Sequence, residues 1–118
     1  MFQQDMILRA IEQLARAIAQ VMRLSVQEEK YEQALEAVAS GKRALPLVPG
    51  MLEHLSAEQL LTQLGPDAVR ALADLYEAEA GALEGLRRPA EAERVRRRAS
   101  ALRGAVGDGE AGAASRLI

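Results

Sequence analysis

Isoleucine, leucine and valine recur along the first part of the chain at alternating spacings of four and three: Ile7, Ile11, Leu14, Ile18 and Val21. Only an α-helix stacks such a series on one face. Leu8, Ala15 and Met22 lie to one side of this stripe, and Ala10 and Ala17 to the other. At roughly 100° per residue the apolar arc covers about half the helix, more than one neighbour requires. The arc predicts two packing neighbours or a second subunit. A homo-oligomer, most simply a two-fold dimer, is the expectation.

Later segments repeat the helical pattern between clear breaks. Ser25-Val26-Gln27-Glu28 has the form of a capping box, which predicts a second helix from there to Leu45, before Pro46. Its inner face reads Tyr31, Ala34, Leu35, Val38, Gly41 and Leu45. Gly41 costs a helix about 1 kcal/mol relative to alanine, which predicts close approach of another backbone there. Met51, Leu52 and Leu55 fit a single helical turn. Ser56-Ala57-Glu58-Gln59 is a second capping box, opening a short third helix that Gly65 stops. Pro66 and Asp67 suit the start of a fourth helix. Val69, Leu72, Ala73, Tyr76, Ala80 and Leu83 make its inner face, and Gly85 supplies a left-handed residue near its end. Ala92, Val95, Ala99 and Leu102 form the inner face of a fifth helix, which Gly104 closes. The expected architecture is all-α, about five helices in antiparallel hairpins. Residues 1–106 form one domain and 107–118 a flexible tail, whose Leu117 and Ile118 either dock or hang free.

Among 118 residues there is no cysteine and one histidine. Disulfides, thiolate chemistry and cysteine–zinc sites are excluded. His54 stands alone beside Glu53, and the Glu-x-x-His pattern of di-iron bundles does not occur. Glycine-rich phosphate loops and dinucleotide fingerprints are missing too. No catalytic, cofactor or metal site is expected. The competing reading is an acid–base enzyme using Glu79, Tyr76 or His54, which would need Glu79 in a pocket beside Tyr76. The first helix carries Asp5, Arg9, Glu12 and Arg16, so no uncharged signal-peptide core is expected. No apolar run approaches the roughly 20 residues of a membrane span. The cytoplasm is the expected location, with no membrane partner. Net charge of −2 gives no global pull toward nucleic acid. Locally, Arg87, Arg88, Arg94, Arg96, Arg97, Arg98 and Arg103 form a basic cluster that offers an alternative function, binding of nucleic acid or an acidic ligand. Without interleaved aromatics, a charged outer face is the plainer reading, and nucleic acid an unlikely partner.

The fourth and fifth helices resemble a tetratricopeptide hairpin. Tyr76, Ala80 and Leu83 stand at its large, small and large positions, and Ala92 and Ala99 match the paired small residues of its second helix. Glu79 stands where that pattern has an apolar residue, and Arg96 where it has an aromatic. The series Asp5-x-Ile7-x-Arg9-x-Ile11-Glu12-x-Leu14 and Leu52-x-x-Leu55-Ser56-x-Glu58-x-Leu60-Leu61 is similar to segments of a family of small uncharacterised bacterial proteins. That resemblance implies an all-helical, repeat-like fold and carries over no catalytic residues. A protein-interaction module with an unknown protein or peptide partner is the expected function, and Tyr76, Glu79, Arg94, Arg96 and Arg98 are its candidate partner-binding residues.

Overall fold

Five α-helices carry the chain in the computed structural model, which describes residues 3–48 and 50–117, with side chains described as far as Gly107. They are α1 (Gln4–Met22), α2 (Tyr31–Arg43), α3 (Ala57–Leu64), α4 (Pro66–Gly85) and α5 (Pro89–Leu117). No strand occurs among the described residues. α1 packs on α2, and α4 on α5. The second pairing is antiparallel: Arg103 reaches Asp74 and Glu77, whereas Arg96 reaches Glu77 and Glu84. α4 also packs on α1, α2 and α3, so it is central. Its buried residues are Ala68, Val69, Leu72, Ala73, Leu75, Tyr76, Ala78, Ala80, Ala82 and Leu83. Ten such positions leave only a narrow polar strip, the pattern of a helix enclosed on most sides.

Small residues set the closest approaches. A methyl group on Gly41 would lie 2.7 Å from the Cβ of Ala17 and 3.2 Å from Leu75, so the expected close approach is to α1 and α4 together. Ala80, Ala92 and Ala99 are fully buried at the α4–α5 contact. On α1 the buried line is Ala10, Leu14 and Val21, whereas Ile7, Ile11 and Ile18 are half-buried. The helix is thus turned from the stripe that the isoleucines suggest, because its small alanine edge fits between α2 and α4.

Four local expectations are overturned. Ser25 caps nothing. α1 continues into a π turn over Arg23–Gln27, in which the Ser25 hydroxyl donates to the Val21 carbonyl at 2.7 Å. No glycine or proline stops α1 there, and tertiary packing buries Leu24 and Ser25. α2 then begins at Tyr31 without a side-chain cap and ends at Arg43, short of Leu45. Gly85 is not the left-handed residue that ends α4. Arg87 takes that conformation, with φ 60°. The Arg88 amide donates to the Leu83 carbonyl and the Arg87 amide to that of Glu84, both at 2.9 Å, which closes a Schellman motif. Gly85 is used for space instead, since a Cβ there would collide with the Tyr31 ring. Gly104 does not close α5, whose backbone runs on to Leu117. Docking of Leu117 and Ile118, and the tail expected over 107–118, concern side chains that lie outside the described residues.

The Ser56 box forms as expected. Its hydroxyl accepts from the Gln59 amide at 3.1 Å, and the Ser56 amide donates to the Gln59 side chain at 2.8 Å. Immediately before it, Leu52–His54 make a single 3₁₀ turn.

Candidate functional site

Two helices with regular charge spacing and two remote segments build one cleft of about 370 Å³. α4 contributes Tyr76 and Glu79, three residues apart, and α5 contributes Arg94 and Arg98, four apart. Those spacings place each pair on one helix face. Lys42 enters from the last turn of α2, and Glu53 from the 3₁₀ turn. Val95 completes the wall.

The charges are unequally engaged. Lys42 and Glu79 form an ion pair at 3.1 Å with side chains only 21% and 16% exposed. The Lys42 ammonium also lies 4.7 Å from the centre of the Tyr76 ring, a cation–π distance. This pair answers the polar residue that interrupts the apolar pattern at position 79: Glu79 is matched from α2 rather than left in the core. Arg98 is spent as a strap, its guanidinium donating to the carbonyls of Leu52 and Leu55 at 3.1 and 2.7 Å. That tie holds the 3₁₀ turn against α5. Arg94 and Glu53 are the cleft charges left without an ion pair among the described residues, and both are exposed.

Tyr76 forms the floor. Its hydroxyl is buried without a well-formed hydrogen bond. Burial, reinforced by the negative charge of Glu53, pushes its phenol up to about 12, while the nearby Arg98 guanidinium pulls the other way. The group is therefore a neutral donor at ordinary pH.

Of the five residues singled out in the sequence, Tyr76, Glu79, Arg94 and Arg98 come together and Arg96 does not. Two positions from Arg94 is roughly 200° around a helix. Arg96 accordingly sits on the α4–α5 seam, bonded to Glu84 and 3.9 Å from Glu77. Contact with Glu84 raises the Arg96 guanidinium and lowers the Glu84 carboxyl from their usual ranges. Lys42 and Glu53 are the residues that sequence reasoning missed. Their distance along the chain leaves no spacing signal. The remaining arginines of the cluster are mostly neutralised: Arg88 by Glu91, Arg97 by Glu93, and Arg103 by Asp74 and Glu77.

A second, larger cleft of about 500 Å³ lies between α1 and α2, over Ala17 and Gly41. Its rim is glutamine-rich, with Gln13, Gln20 and Gln33, and its charged members Arg16 and Glu36 are exposed. His54 is exposed on the 3₁₀ turn. Among the described residues no group of three or more histidine or carboxylate side chains could hold a metal ion. No helix among the described residues is long and apolar enough to cross a membrane. Comparison with known proteins finds no matching family model, no matching curated protein and no matching solved structure.

Proposed function

We propose that the chain is a protein-interaction module whose α2–α4–α5 cleft receives a short segment of a partner protein. One observation carries this reading. Around a buried phenol the cleft leaves one cation, Arg94, and one carboxylate, Glu53, without internal partners. Such a pair suits a segment offering a carboxylate at one end and a cation or amide donor at the other. The tetratricopeptide-like placement of Tyr76, Ala80, Leu83, Ala92 and Ala99 supports the reading by analogy, since stacked helical pairs leave concave binding faces. By the same reading the chain belongs to the small bacterial helical family that it resembles and acts in the cytoplasm.

The acid–base alternative has the juxtaposition it needs, Glu79 beside Tyr76. Two facts weigh against it. Lys42 occupies the Glu79 carboxylate, and a phenol pushed up to about 12 gives up no proton near neutrality. The reading is therefore of a binder without catalysis of its own. For the basic cluster, five of its seven arginines are engaged by carboxylates or carbonyls, which leaves little for nucleic-acid phosphates.

The test is affinity capture from the native host, followed by mass spectrometry and binding with the purified partner. Arg94→Glu and Glu53→Lys should each weaken binding by about tenfold or more, the worth of a charge-assisted contact. Arg96→Glu, outside the cleft, should leave it within about twofold. Binding indifferent to both cleft reversals would remove the assignment.

A further inference from the structure

α1 has a third side that no other element covers among the described residues. Leu14 and Val21 face the core, and Gln13, Ala17 and Gln20 line the cleft toward α2. On the opposite flank Leu8, Ile11, Ala15, Ile18 and Met22 follow one another at spacings of three and four, continued by Val26. Leu8 is 50% exposed, Met22 46% and Val26 67%; Ala15 is exposed, and Ile11 and Ile18 are half-buried. At about 1.5 Å per residue the band is roughly 27 Å long. Continuous apolar surface on this scale marks a docking site.

The charges along its outer edge identify the occupant. At roughly 100° per residue, Asp5, Glu12, Arg16 and Arg23 fall in one row beside the band. Within this row the acids come first and the bases second; Arg9 lies about 20° beyond Arg16, on the side away from the band. This order is its own complement when the helix lies against a copy running the opposite way. With Ala15 meeting Ala15, Leu8 is level with Met22 of the copy and Ile11 one residue from level with Ile18; Asp5 and Arg23, like Glu12 and Arg16, are two residues or about 3 Å from level, within reach of their side chains. In an antiparallel pair the same edge of each helix meets itself, which is the geometry this row requires. Asp5, Glu12 and Arg16 have no ion pair within the described residues, and Arg23 has only an exposed one, to Glu28 at 3.5 Å. Small Ala15 and Ala19 let the two backbones approach at the centre.

We propose that α1 is a dimerisation helix that packs antiparallel on α1 of a second copy, about a two-fold axis at Ala15. The contact is isologous, so every pair occurs twice. It is separate from the α2–α4–α5 cleft, to which α1 contributes nothing.

Sedimentation of the full chain over a range of concentrations tests it. The mass should approach twice 12.7 kDa. Ala15→Arg sets two guanidinium groups together at the axis and should raise the dissociation constant by at least about 100-fold. Because Ala15 is exposed, the circular dichroism should not change. Glu12→Arg and Arg16→Glu should each weaken the dimer by about tenfold, through two lost pairs and two repulsions. The double variant E12R/R16E restores opposite charges across the axis and should return to within about threefold of the parent. A monomer at high concentration would overturn the proposal. So would a dimer indifferent to Ala15→Arg, or a double variant as weak as the singles.

Discussion

Gly85 and Arg87 sit two residues apart at the end of α4, and the backbone has a use for glycine at both. At Gly85 the need is room for the Tyr31 ring; at Arg87 it is the left-handed φ of 60°. Glycine adopts that conformation freely, whereas an L side chain there costs about 1 kcal/mol. Arg87→Gly should therefore stabilise the protein by about 0.5–1 kcal/mol, read as a higher urea midpoint at unchanged slope. Gly85→Ala should destabilise it by about 1–3 kcal/mol, because the ring must move, even though alanine is the better helix former. Gly81 is the control. Nothing lies within 4 Å of a Cβ there, and Gly81→Ala should gain up to about 1 kcal/mol from propensity alone. A loss at Gly81 equal to that at Gly85 would mean that the ring contact is not the cause.

Two serines show what a sequence discloses about an element and what it withholds. Ser25 and Ser56 head near-identical strings, Ser-Val-Gln-Glu and Ser-Ala-Glu-Gln, yet only Ser56 caps a helix. Leu55, just before Ser56, is already extended, with ψ 138°, so an orphaned first turn awaits a cap. Ser25 follows an unbroken helix and is drawn into a π turn by packing, which no local pattern reports. Ser56→Ala should cost about 1 kcal/mol, and Ser25→Ala less than about 0.5 kcal/mol, since its hydroxyl bonds back to the Val21 carbonyl and satisfies no orphaned amide. Equal losses in thermal unfolding would count against this distinction. The same limit governs the cleft. Tyr76 with Glu79 and Arg94 with Arg98 were readable because helical spacing puts each pair on one face. Lys42 and Glu53 arrive through tertiary packing, and Arg96 was misassigned because the repeat pattern, rather than the angle around α5, selected it.

Across the whole molecule, the buried phenol couples folding to alkaline pH. The folded chain holds the Tyr76 proton to about 12, whereas the unfolded chain releases it near the ordinary phenol value of 10.0. The stability associated with that proton is complete below pH 10 and declines as pH rises through 12. The full loss is about 2–3 kcal/mol above that range, at 1.36 kcal/mol per unit. Urea unfolding of Tyr76→Phe should fall less steeply between pH 10 and 12 than that of the parent. Near neutrality the two should differ by less than about 1 kcal/mol, because the hydroxyl lost has no good hydrogen bond to lose. Parallel pH curves would place the titration elsewhere. The overall layout was more legible than this coupling: stripes, capping box and proline starts outline five helices, but nothing local tells that α4 is the one enclosed by the rest.

That enclosure has a consequence for how the chain can vary. In a stack of independent repeats each pair of helices brings its own wall, so a unit can be added, lost or altered while its neighbours stand. Here α4 is the wall for α1, α2, α3 and α5 at once. Leu75 lies against Gly41 of α2, and Ala80 and Leu83 pack against Ala92 of α5. A change of volume on α4 is therefore felt by both hairpins, whereas the fold tolerates exchange on the outer sides of α1 and α5, apart from the apolar band and charged row of α1 and the cleft face of α5. The chain behaves as a single keystone arch in which the freedom to diverge lies in the outer stones.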